Sequence, residues 1–233
     1  MANPLIRKLE KLEPLSPEEK RLLDQLSSPA RTVGVQETII HQGERVEYST
    51  LLLEGFAYRY RLLSEGRRQI LSFQIPGDFI DLHSFLLKTM DHAVSTLTAC
   101  KLVFVPHSTL RHITENYPRL TRALWCDVAA DGAMFREWMV GIGRRSAQAR
   151  IAHIICETLY RLRAVGLAGR NKYSLPVRQS ELADAVGLSP VHVNRVLQDF
   201  RRAGILESGR GQLVVRDLVR LCEIGDFEPT YLH

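Results

Sequence analysis

The stretch Arg178–Leu206, RQSELADAVGLSPVHVNRVLQDFRRAGIL, constrains the chain more than any other. It reads as two helices joined by a sharp turn. Leu182, Ala183 and Val186 share one face of the first helix, and Gly187 ends it by supplying the left-handed backbone that a tight turn needs. Ser189 is a favourable N-cap, and Pro190 falls at the first helical position, where its missing N–H costs nothing. The second helix repeats apolar residues at spacings of three and four: Val193, Val196, Leu197 and Phe200. Small Ala183 lets the helices approach, and Val193 packs back between them. This is the constellation of a helix-turn-helix, which presents its second helix to the DNA major groove. The outward positions His192, Asn194, Arg195, Gln198, Arg201 and Arg202 are hydrogen-bonding or basic, as base and phosphate contacts require.

Charge placement agrees. The 233 residues carry a net charge of +5. Residues 1–143 hold 17 basic and 17 acidic side chains, so the whole excess lies in residues 144–233, beside the helix-turn-helix. A basic C-terminal part on a neutral N-terminal part points to a polyanion as partner. No apolar run approaches the ~20 residues of a membrane span. The charged start MANPLIRKLEKLEPL does not read as a signal peptide. Cys100, Cys126, Cys156 and Cys222 form no C-x-x-C pair, which fits a reducing cytoplasm better than a disulfide scaffold or zinc ribbon.

Upstream, residues 4–26 read as helical, with Ser16-Pro17-Glu18-Glu19 as a capping box. From about Arg31 to Val105 the pattern becomes short strands: 38–40, 49–53, 57–63, 69–74 and 102–105. Turn signals at Gln42-Gly43-Glu44, Glu54-Gly55, Ser64-Glu65-Gly66 and Pro76-Gly77-Asp78 separate them. This spacing suits an antiparallel barrel or jelly roll; residues 79–87 are ambiguous and allow a short helix. Residues 118–144 form a long helix whose seam, Leu124, Val128, Asp131, Phe135, Trp138 and Ile142, has heptad spacing suited to an identical partner or to packing on the roll. Asp131 would repel its own copy there unless it is protonated or paired elsewhere. Gly141 and Gly143 are read as ending this helix and forming a hinge. A further helix over 146–166 and a strand over 174–177 lead to the helix-turn-helix. A β-hairpin wing about Ser208-Gly209-Arg210-Gly211 and a last helix over 218–224 follow it.

This order of parts resembles the cyclic-AMP receptor protein / fumarate-nitrate regulator (CRP/FNR) superfamily of bacterial transcription factors. The most specific residues are Pro76-Gly77-Asp78-Phe79-Ile80, Gly141-x-Gly143-Arg144-Arg145-Ser146-Ala147, and Leu182–Arg195. The resemblance implies an α+β chain. Residues 1–117 form a double-stranded β-helix (jelly roll) like a cyclic-nucleotide-binding domain, 118–144 a dimerisation helix and hinge, and 145–233 a winged helix-turn-helix. It also implies a cytoplasmic homodimer that binds palindromic promoter DNA through helix 190–204, with RNA polymerase as a further partner if it activates.

The family's base-reading positions fall on Pro190, Val191 and Arg195. Arg195 suits guanine O6 and N7, whereas Pro190 and Val191 can touch only a thymine methyl. His192, Asn194 and Gln198 are further contacts, and Gln179, Ser180, Ser189 and Arg210 suit phosphates. The family's ribose-binding glutamate falls on Leu82, and its phosphate-binding arginine falls near Met90, with His92 close by. Without that cation, burying a cyclic-AMP phosphate is costly, so cyclic AMP is not expected. An N-terminal iron–sulfur cluster is not expected either, because no cysteine precedes Cys100. Haem on His41, His83, His92 or Cys100 and an unknown small ligand stay open, as does no ligand at all. A roll-type metalloenzyme is disfavoured, since the chain has no H-x-H pair and no nucleophile–base set.

Overall fold

The computed structural model describes residues 3–169, 172–209 and 212–232. Helices α1 (Pro4–Leu12) and α2 (Pro17–Leu26) come first. The break between them is made by Ser16, whose hydroxyl accepts from Glu19 N at 3.2 Å while the Glu19 carboxylate accepts from Ser16 N at 2.7 Å. The helical stretch expected over 4–26 is therefore two helices, the second starting at the expected capping box. Strands β1 (Arg31–Val33), β2 (Thr38–Ile40), β3 (Tyr48–Glu54), β4 (Ala57–Leu62) and β5 (Arg68–Gln74) follow. Then come the short helix α3 (Ser84–Leu87), β6 (Ala93–Thr96), β7 (Cys100–Pro106) and α4 (His107–Asn116). β1, β6 and α4 add to the elements legible in the sequence.

The strands form two antiparallel sheets, ordered β1-β7-β3 and β2-β6-β4-β5. Their side chains alternate between two cores, as the pleat dictates. Leu52 and Leu102 join Ile40, Ala57 and Val94 between the sheets. Leu51, Val103 and Val105 face the other way, onto Leu5, Leu9, Leu23, Leu110 and Leu120 of the helices. Gly77 shows why the Pro-Gly-Asp turn is needed: its φ is +98°, and a Cβ there would lie 2.9 Å from the Pro4 carbonyl oxygen. Beside it, Asp78 accepts from Ile75 N at 2.8 Å and takes the Lys8 ammonium at 2.7 Å, with Asp127 as the second carboxylate on Lys8.

Helix α5 (Pro118–Arg144) has the expected bounds and runs through Gly141 and Gly143. Neither glycine ends it, which corrects that reading. The turn comes at Arg145, and Ser146 caps α6 (Ala147–Ala164) by accepting from Ala149 N. Beyond lie β8 (Lys172–Ser174), α7 (Gln179–Val186), α8 (Pro190–Arg202), β9 (Leu206–Gly209), β10 (Gln212–Val215), α9 (Leu218–Gly225) and a closing 3-10 turn, Pro229–Leu232. β8 precedes the strand expected over 174–177, and it pairs with β10 to give a three-stranded wing ordered β8-β10-β9.

The chain divides into two compact units, residues 1–61 with 73–132 and residues 62–72 with 133–233. The long helix, expected to stand as a part of its own, is shared between them. The tip of the β4–β5 hairpin groups with the C-terminal unit, where Arg68 pairs with Asp184 of α7 at 2.7 Å and Gln69 donates to the Ala185 carbonyl.

Candidate nucleic-acid interface

α7 and α8 meet as their sequence requires. Gly187 has φ +67°, and Leu188 N donates to the Ala183 carbonyl at 3.1 Å, closing α7. Arg150 of α6 adds a cation there, donating to the Val186 carbonyl at 2.9 Å. The Ser189 hydroxyl accepts from His192 N at 3.2 Å and so starts α8. Leu182, Ala183, Val186, Val193, Val196, Leu197 and Phe200 are all buried. α8 ends at Arg202, two residues before the expected bound, and Gly204 turns the chain away with φ +69°.

Burial on one side leaves a strip on the other. Val191, Arg195, Gln198 and Arg202 recur at helical spacing, and all are exposed. Arg202 is held by Asp199 of its own helix. Arg195 makes no hydrogen bond or ion pair among the described residues, so its guanidinium is available to a base. Val191 is 80% exposed; a branched apolar side chain so placed suits contact with a thymine methyl. Pro190 and Ser189 are exposed at the N-terminal turn and His192 is half-buried. Asn194 and Gln179, both expected at the DNA, are joined to each other: Asn194 Nδ2 donates to Gln179 Oε1 at 2.9 Å. That bond fixes both side chains at the junction of the two helices. Ser180 is exposed beside them at the start of α7. Arg210 lies outside the described residues.

Three of the six residues expected on the seam of α5 are engaged within their own chain. Leu124 is buried in the helix-facing core, and Trp138 is buried with its indole N–H 3.2 Å from both carboxylate oxygens of Glu157. Asp131 pairs with Arg59, which is nearly fully buried and also donates to the carbonyls of Phe79 and Ile80. These three residues serve their own chain. The exposed apolar line instead reads Trp125, Val128, Met139 and Ile142, with Gly132 and Phe135 half-buried between them. It keeps Val128, Phe135 and Ile142 of the expected seam and moves the other three positions by one residue. Because Arg59 is buried, Asp131→Ala is expected to destabilise the N-terminal unit by about 3 kcal/mol, read as a lower urea midpoint at unchanged slope.

The roll interior contains more polar groups than a purely apolar core would. Asp81 accepts from Thr50 N, and burial pushes its carboxyl up to about 7. Burial and the nearby Arg59 charge lower both His83 and His92, the latter to about 4. Leu82 is half-buried and Met90 is buried in the apolar core between the sheets. Of the haem-ligand candidates, His83 and His92 are neighbours, with ring centroids 5.2 Å apart. His41 is exposed, and the Cys100 thiol is engaged with the Phe56 and Thr98 carbonyls. Cys156 and Cys222, far apart in sequence, bring their sulfurs to 3.6 Å as free thiols. No helix among the described residues is long and apolar enough to cross a membrane.

A two-sheet roll, a long helix and a winged helix-turn-helix with an exposed reading strip define a DNA-binding transcription regulator. Comparison with known proteins agrees. Residues 30–117 match the cyclic nucleotide-binding domain family, and residues 149–224 match the Crp-like helix-turn-helix domain family. The transcriptional activatory protein AadR of Rhodopseudomonas palustris is 29% identical, over 92% of this chain and 85% of that protein. The transcriptional activator protein FnrL of Cereibacter sphaeroides is 25% identical, over 88% of this chain and 84% of that protein. The structure of FixK2 from Bradyrhizobium japonicum superposes with a TM-score of 0.76 at 29% identity, covering 84% of this chain and 96% of that one. The chain belongs to the CRP/FNR superfamily of transcription regulators, a family of DNA-binding proteins rather than enzymes.

Proposed function

We propose that the protein acts as a homodimer joined along α5, binding a two-fold palindrome with one α8 in each half-site and needing neither cyclic AMP nor an iron–sulfur cluster. The observation that carries this reading is the pair of exposed strips, one apolar on α5 and one basic and apolar on α8. Arg195 and Val191 read bases, with Pro190, His192 and Gln198 beside them. Ser180, Ser189 and Arg210 meet phosphates, and Asn194 with Gln179 braces the reading helix. Against cyclic AMP stand the neutral imidazoles of His83 and His92 and the prior engagement of Arg59 by Asp131, since a buried phosphate needs an uncommitted cation. For activation, RNA polymerase would be met by the loop over 166–172, part of which lies outside the described residues, or by the exposed roll. Substitutions there are expected to lower transcription while leaving DNA affinity unchanged.

Met139→Glu tests the dimer. Met139 is 68% exposed, so the substitution leaves the folded chain intact but places two like charges across a helix seam. Sedimentation should show a dimer for the native chain and a monomer for the variant, and the variant should lose palindromic DNA while retaining weak half-site binding. A variant that stays dimeric and binds the palindrome normally would place the interface elsewhere.

A further inference from the structure

We propose that His83, Asp91 and His92 form a binding site for a divalent first-row transition metal ion. His83 stands just before α3, and Asp91-His92 lies in the loop between α3 and β6, so the fold of that loop brings the three together. Asp91 Oδ1 lies 2.8 Å from His92 Nδ1 and 3.6 Å from His83 Nε2. All three donor atoms fall within 4.8 Å of one another. A tetrahedral ion with bonds of 2.0–2.1 Å spaces its donors about 3.3 Å apart, so small side-chain rotations complete the set.

Burial favours the assignment. His92 is almost wholly buried, and His83 Nε2 is a buried atom with no hydrogen bond among the described residues. Asp91 is exposed, which gives a hydrated ion a route in. Arg59, the cation that lowers both rings, is paired with Asp131.

Two nitrogens and one oxygen suit zinc, iron(II), cobalt(II) or nickel(II), whereas magnesium and calcium prefer all-oxygen sites. Three protein ligands leave a fourth position for water or for an exogenous ligand. The site lies within the roll, and its assignment does not depend on how the chain binds DNA.

The full-length chain, stripped with a chelator, is titrated with cobalt(II) and then challenged with zinc. One cobalt per chain is expected, with visible d–d bands, without thiolate-to-cobalt charge transfer, and with displacement by zinc but not by magnesium. Asp91→Asn, an exposed change that preserves the fold, and His83→Gln should each weaken binding about tenfold or more with an unchanged circular dichroism spectrum. Absence of stoichiometric binding would overturn the proposal. Undiminished binding in both variants, or a thiolate band assigning the ion to cysteine, would overturn it equally.

Discussion

Lys8→Met is expected to destabilise the N-terminal unit by about 3–5 kcal/mol at pH 7, and by less in acid. Lys8 lies between Asp127 and Asp78, at 2.5 and 2.7 Å. Burial lowers its pKa, but the Asp127 and Asp78 carboxylates outweigh burial and hold it above the ordinary lysine value. The raised value means that this stabilisation is complete at neutral pH and is lost only as pH rises through the folded-state pKa. Burial already pushes Asp127 up, with Lys8 opposing. Without the ammonium, two buried carboxylates face each other and one must hold a proton. The folded variant then binds more protons than the unfolded chain, so its stability rises as pH falls toward the ordinary aspartate range. Urea melts at pH 7 and pH 5 check this: the gap between native chain and variant should narrow at the lower pH. A constant gap would mean that lost packing, not charge, sets the cost.

Arg195→Ala is expected to cost about 1–3 kcal/mol in each half-site, hence roughly 2–6 kcal/mol for a dimer on a palindrome, which is on the order of 30-fold or more in affinity. The loss should appear as specificity, because Arg195 is exposed, unpartnered among the described residues and one turn along α8 from Val191. The variant should tolerate any base at one position of each half-site while keeping most of its salt dependence. A phosphate contact would instead weaken all sequences alike and reduce the salt slope by about one. Competition binding against a panel of single-base variants separates the two.

The helix-turn-helix was legible because its determinants are local. Gly187, Ser189 and Pro190 act through backbone preferences that need no tertiary information, and the three-and-four spacing of Val193, Val196, Leu197 and Phe200 names the buried face. The exposed face of α5 was only half legible. Leu124 and Trp125, or Trp138 and Met139, are adjacent apolar residues, and periodicity alone does not say which faces the chain's own core. That choice is made by partners distant in sequence: Leu5 and Leu9 for Leu124, Glu157 for Trp138, and Arg59 for Asp131. The same reason hid Lys8 with Asp78 and Asp127, and the approach of Asn194 to Gln179. The glycines at 141 and 143 misled because a helix pays only about 1 kcal/mol for each, less than the packing of α5 returns. Strands β1 and β6 span three and four residues, too few for alternation to register; β2 is as short but is marked by three consecutive β-branched residues, Thr38-Ile39-Ile40. The histidines at 83 and 92 were visible as residues but not as neighbours.

The most direct test is selection of DNA from a random pool by the purified protein, with and without cyclic AMP, at fixed near-physiological salt. The expected result is one two-fold palindrome, recovered equally in both arms, with half-sites about one helical turn apart. A palindrome recovered only with cyclic AMP would contradict the reading of the roll, and binding without sequence preference in both arms would contradict the reading of α8.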